Sequence, residues 1–196
     1  MNWNKVTVAG YVEYYKSLDW KEPKDAIQQL DQNIERLSYL TGISYEEIEE
    51  MSITQVTEEL KQARENMPQV LYESFEFKGR YYVVDKDPTK YNAGRYMSVM
   101  NACTGNTIEN LHRILFNVCR EVDKKGNTVK IPDEELMNRM DDFKELPMLY
   151  ANPIAVFFWN LSKDLTNVTL QYLDDQVQKA NQALQTEITY LQDSAG

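Results

Sequence analysis

The stretch from Phe75 to Val84, FEFKGRYYVV, constrains the fold more than any other. Two short runs of aromatic and β-branched residues meet at Lys78-Gly79, a pattern that predicts a β-hairpin. A two-stranded ribbon is marginal in water by itself. Its apolar set, read as Phe75, Phe77, Tyr81 and Val83, must therefore lie on helices or on a strand of another chain. The rest of the chain reads almost entirely as helix. The expected fold class is mainly α: a helical bundle with one small central β-hairpin and a long C-terminal helix.

Helix signals dominate the first seventy residues. Ile27, Leu30, Ile34, Leu37 and Leu40 recur at three and four, and the stripe ends at Gly42-Ile43 as a glycine-terminated helix would. SYEE at Ser44 and SITQ at Ser52 match a capping box, in which a serine hydroxyl takes a free amide and the Glu or Gln three residues on reaches back. After Met67-Pro68 comes the hairpin, and DKDPTKYNAG then reads as loop. GRYMSVMNACTG and NTIENLHRILFNVCREV predict two further helices, the second opened by Asn106 as cap with Glu109 three residues on. KKGNTVK predicts a turn with room for a second small hairpin.

The last helix is expected to start with Asn152 as cap and Pro153 at the first helical position. From there Phe158, Leu161, Leu165, Val168 and Tyr172 form a stripe that slips by one and resumes as Leu173, Val177, Ala180, Leu184, Ile188 and Leu191. No Gly or Pro interrupts it, and at 1.5 Å per residue such a helix would be about 60 Å long. A domain of this size is only about 40 Å across, so the helix either projects or breaks. If it projects, the stripe after Val177 needs a second chain; if it bends near Asp174-Asp175, it folds back. The chain divides on this reading into a helical region 1–72, a hairpin with a helical core 73–172, and a projecting helical tail 173–196.

Composition narrows the function. The formal net charge of -10 opposes binding to nucleic-acid phosphates, so no nucleic-acid partner is expected. No run of about 18 apolar residues and no secretory signal pattern is visible, so no membrane association is expected and the chain is placed in the cytosol or in a particle assembled there. Cys103 and Cys119 lack the close companions of a zinc or redox site and read as reduced core residues in helices. His112, the single histidine, reads as a half-buried surface residue. Asp85 and Asp87 are spaced as at the opening of a calcium loop, but Lys90 stands where glycine is needed and Tyr96 where a bidentate Glu is needed. Phosphate loops, nucleophile elbows and paired-cysteine motifs are absent, and 7 glycines leave little material for cradling a phosphate. The chain is therefore read as a non-enzyme, with no catalytic, metal or cofactor-binding residue and no cofactor. A small helical enzyme using carboxylates or Cys119 is a competing reading. A perturbed group in a pocket near His112 or Cys119 would favour it, and an exposed His112 without a pocket would count against it.

The positive signal is aromatic: 13 Tyr, 6 Phe and 3 Trp, clustered in YVEYY, GRYYVV and VFFW. Such residues supply interface area as well as core. Phe75 and Tyr81 on the hairpin, with Tyr172, Val177, Leu184, Ile188 and Leu191 on the last helix, are the candidate partner-binding residues.

The order of segments also carries a resemblance. FEFKGRYYVVDKD, then YNAGRYMSVMNACTG, ENLHRILFNVCREV and ELPMLYANPIAVFFWNLSKDL with a helical tail, preceded by SYLTGISYEEIEEMSITQVTEEL, resembles a group of tailed-bacteriophage proteins described as tail assembly chaperone-like. VCREV stands where a more basic element often follows the third helix, and the tail after Leu173 is longer than a minimal member requires. The resemblance implies a non-enzymatic phage morphogenesis protein, acting in the host cytoplasm during assembly. It would bind other phage structural proteins, or itself, through the C-terminal helix. The alternative it leaves open is a resident structural component of the virion in the tail, head-tail or capsid-interior region. It also implies that the hairpin is a pivot between two helical halves, and an edge on which another chain can pair.

Overall fold

The computed structural model describes residues 1–87, 90–103 and 106–160. The chain divides into two compact units, Met1–Val156 and Phe157–Gly196. Of the second, residues 157–160 are described and are helical.

The first four helices begin where short side-chain caps dictate. Thr7 opens α1 (Val8–Ser17) by accepting from Gly10 N, and Asp25 opens α2 (Ala26–Thr41) by accepting from Gln28 N. Gly42 ends α2 in the left-handed conformation that only glycine adopts without penalty, returning its amide to Ser38 O. Both expected capping boxes form, Ser44 with Glu47 at α3 (Tyr45–Glu49) and Ser52 with Gln55 at α4 (Ile53–Glu65). The α2 stripe is shorter than expected. Ile34, Leu37 and Leu40 are buried, but Ile27 is 81% exposed because no element packs over the first turn.

α1 meets α2 at Gly10, where an added Cβ would lie 2.2 Å from the backbone carbonyl oxygen of Tyr39. Since the obstacle is backbone, Gly10→Ala must push the two helices apart. The expected cost is about 1–3 kcal/mol, read as a lower denaturation midpoint; an unchanged midpoint would mean the two backbones are not in contact.

The hairpin is present, with β1 (Ser74–Phe77) antiparallel to β2 (Arg80–Val84). Its two-residue turn has positive φ at Lys78 (49°) and Gly79 (70°), the geometry that matches strand twist. Two turn residues pair Phe77 with Arg80 and Phe75 with Tyr82. The core face is therefore Phe75, Phe77, Tyr82 and Val84, whereas Tyr81 and Val83, expected beside Phe75, lie on the opposite face.

The ribbon is also not two-stranded. β3 (Cys119–Val122) pairs antiparallel with β2, giving the order β1-β2-β3. This shortens the helix expected to run through VCREV: α6 spans Leu111–Val118, and Cys119 lies on a strand. Nor does Asn106 cap it. Asn106 heads a turn, accepting from Glu109 N at 3.5 Å, and α6 starts one turn later. The turn after β3 closes a second small hairpin, with Val129 N on Glu121 O and a bridge between Val122 and Thr128.

α5 (Ala93–Cys103) packs on α6, and α7 (Asp133–Asp142) runs into a 3-10 turn, Phe143–Glu145. The final described helix, α8, occupies 148–160. It starts earlier than Asn152 because Pro147 provides the opening, its carbonyl taking the amides of Tyr150 and Ala151 at 3.0 Å. Asn152 instead donates to Pro68 O. The N-terminal segment is strapped to this start: Met148 N bonds Val6 O, Leu149 N bonds Trp3 O, and Val8 N bonds Leu146 O.

Candidate functional site

Of the candidate partner-binding residues, the structure places two. Phe75 is buried at 6% exposure, stacked between Tyr82 (5.6 Å) and Tyr150 (5.0 Å). It is a core residue and not a partner contact, because the turn directs odd residues of β1 inward. Tyr81 is 45% exposed on the outer sheet face, in one row with Glu76 and Val122. A hydrogen bond to Glu76 raises its phenol above the usual range. Tyr172, Val177, Leu184, Ile188 and Leu191 lie outside the described residues, as do most of the C-terminal stripe and its expected helix.

Several exposed apolar side chains are grouped on α5 and on α7. Tyr96, Met97 and Met100 stand out from α5, which buries just Val99 and Ala102. Leu136 and Met137 stand out from α7, which buries no residue at all. For α5 the sequence carries a signal: GRYMSVMNAC holds more apolar residues than one helix face can hide.

A cleft of about 590 Å³ opens beside Cys119, lined also by Tyr82, Asp85, Arg95, Arg120 and Leu136. Asp85 is held between two guanidinium groups, Arg95 and, at 3.4 Å, Arg120. Arg95 also donates to the carbonyl of Asn117 at the end of α6 and covers the ring of Tyr91 at 4.1 Å. The two cations thus tie α5, the end of α6 and β3 to the residue that follows β2.

A perturbed group lines this cleft, as the enzymatic reading asks, but its shift runs against nucleophilic chemistry. Cys119 is buried, and burial pushes its thiol well above the ordinary value, so it stays protonated at neutral pH. His112 is not half-buried on the surface as expected but 8% exposed, since α6 turns it inward. Burial first, then the nearby Lys144 and Arg113, lower its pKa, so it is neutral at pH 7. It is not among the residues lining the Cys119 cleft. Native protein at pH 8 is therefore expected to leave Cys119 unmodified by a thiol-reactive disulfide reagent, and to label it on unfolding. Rapid native labelling of Cys119 would show that the thiol is reachable and reactive in the folded chain.

Among the described residues no group of three His, Cys, Asp or Glu side chains could hold a metal ion, and no helix is long and apolar enough to cross a membrane. These features define a mainly α scaffold with a three-stranded sheet and apolar side chains in the open on two helices. Comparison with protein-family models, curated proteins and solved structures finds no match to the chain.

Proposed function

We propose that the chain is a non-enzymatic morphogenesis protein of tailed phages, tail assembly chaperone-like, that binds other phage structural proteins in the host cytoplasm. The observation that carries the protein-binding part is the set of apolar side chains exposed on α5 and, separately, on α7. Apolar side chains that neighbour one another on a helix, as Tyr96 and Met97 each neighbour Met100 at four and three residues, form the kind of patch that marks interaction sites, and methionine suits surfaces that adapt to a partner. The exposed side chains are Tyr96, Met97 and Met100 on α5, and Leu136 and Met137 on α7. The phage assignment rests on the resemblance carried by FEFKGRYYVVDKD and the segments after it. The C-terminal segment, with its stripe from Val177 to Leu191, is the part proposed to join other phage chains or a second copy.

Quantitative mass spectrometry of purified virions beside the infected-cell lysate tests the reading. The expected result is abundance in lysate and absence from virions. Fixed, near-integer copies per particle would overturn the chaperone role and make the chain a resident virion component. Truncation after Asp174 is expected to abolish association while leaving the thermal unfolding transition in place. Loss of most of that transition would show that residues 175–196 belong to the folded core.

A further inference from the structure

The face of α2 that carries Gln29, Asn33 and Arg36, spaced four and three apart, borders a groove of about 600 Å³. Across it α4 presents Thr57, Lys61 and Arg64 at the same spacing, so two polar helix faces meet along one cleft. Three cations, Arg36, Lys61 and Arg64, face a single lining carboxylate, Glu65. This is a local excess of positive charge in a chain whose formal net charge is -10.

Arg36 is the informative member. It is 8% exposed, yet its partners are neutral: Nε donates to Ser17 Oγ at 3.3 Å, Nη2 donates to Ser17 O at 2.8 Å, and the guanidinium lies over the Trp20 ring at 5.7 Å. Arg80, Arg95, Arg120 and Arg139, by contrast, each reach an aspartate or glutamate. A buried cation without a counter-charge is unfavourable, and a carbonyl with a ring face offsets only part of that. Beside it Asn33 has its side-chain oxygen occupied by Gln29 Nε2 at 3.1 Å, which leaves its amide nitrogen as a donor.

We infer that the α2–α4 groove is an anion site for a phosphate-bearing small molecule. The guanidinium fork of Arg64 matches phosphate oxygens in pairs, while Arg36, with Nε and Nη2 committed to Ser17, contributes its charge. Lys61 adds a point charge, and the Asn33 amide and Thr57 hydroxyl are neutral donors for further oxygens. With Glu65 answering one of the three cations, a monovalent anion would still leave one positive charge unanswered. A multiply charged phosphate would not, and the groove has the volume of an ordinary small-ligand site. Because the chain as a whole repels anions at long range, saturable binding reports the local cluster.

The test is calorimetric titration of the full chain with inorganic pyrophosphate and, separately, with a nucleoside triphosphate, at constant ionic strength. Saturable binding is expected, and the tighter of the two ligands tells whether phosphate alone or a phosphorylated organic molecule is the preferred source. Lys61→Gln/Arg64→Gln alters two exposed side chains and is expected to weaken binding about tenfold or more, with the unfolding transition unchanged. Lys124→Gln/Lys125→Gln removes the same charge from the turn after β3 and is expected to leave binding intact. No saturable binding, or equal weakening by both double variants, would overturn the site.

Discussion

Phe143→Ala is expected to remove about 3–5 kcal/mol of folding stability, the largest effect of any single substitution considered. The ring is 0% exposed and meets three others edge-on: Phe77 at 6.0 Å, Tyr82 at 5.2 Å and Phe116 at 5.5 Å. Those rings come from β1, β2 and α6, so one side chain in the 3-10 turn joins the sheet to the helix behind it. Beyond the buried area, each edge-to-face pair adds about 0.5–1.5 kcal/mol. The neighbours are strand and helix residues with fixed backbones, so they cannot collapse into the space left behind. Urea denaturation measures the loss, and Phe143→Leu, which keeps most of the volume but none of the ring geometry, should fall between. A loss under about 1 kcal/mol for the alanine variant would mean that the sheet is held by something other than this aromatic cluster.

The features of this fold that are legible in the sequence are those decided within a few residues. Ser44 and Ser52 close their capping boxes, Gly42 ends α2, and Lys78-Gly79 makes the hairpin turn, because each needs only its immediate neighbours. β3 is different. Cys119 follows Val118 without a glycine or proline, so the local pattern continues α6, and only the edge of β2 makes a strand of it. Pairing with a distant partner overrides local propensity in a way that no single window reveals.

The sheet face is legible in the sequence. A two-residue turn sets odd residues of β1 against even residues of β2, which assigns Tyr82 to the core and Tyr81 to solvent. The burial of Arg36 is not legible, since nothing along α2 says that Ser17 and Trp20 lie against it. Met97 and Met100 are legible in part: GRYMSVMNAC holds too many apolar residues for one helix face, but which of them stay exposed depends on where α6 packs.

Electrostatics separates α7 from the other helices. With no buried residue, it cannot be held mainly by its own apolar face. Its firmest tie is Arg139, whose Nη1 reaches both oxygens of Glu121 on β3, at 3.2 and 3.0 Å, while Nη2 holds Glu135 at 2.8 Å. The two side chains of the β3 pair are 16% and 9% exposed, much drier than Lys78 with Asp142 at 31% and 25%. Water screens the wetter pair to about 1 kcal/mol or less. The drier one behaves differently: Arg139→Met leaves Glu121 as a nearly buried carboxylate facing the Tyr82 hydroxyl at 3.5 Å, and should cost about 3 kcal/mol. Adding Glu121→Gln removes the stranded charge, so the double variant should recover most of that loss in the same denaturation experiment. Amide exchange in α7 should rise in the single variant more than in the double one. Equal losses in both variants would show that α7 is held by the packed stem of Arg139 and not by its charge. The apolar side chains Leu136 and Met137 would then belong to a helix docked by shape, with its outer face free for a partner.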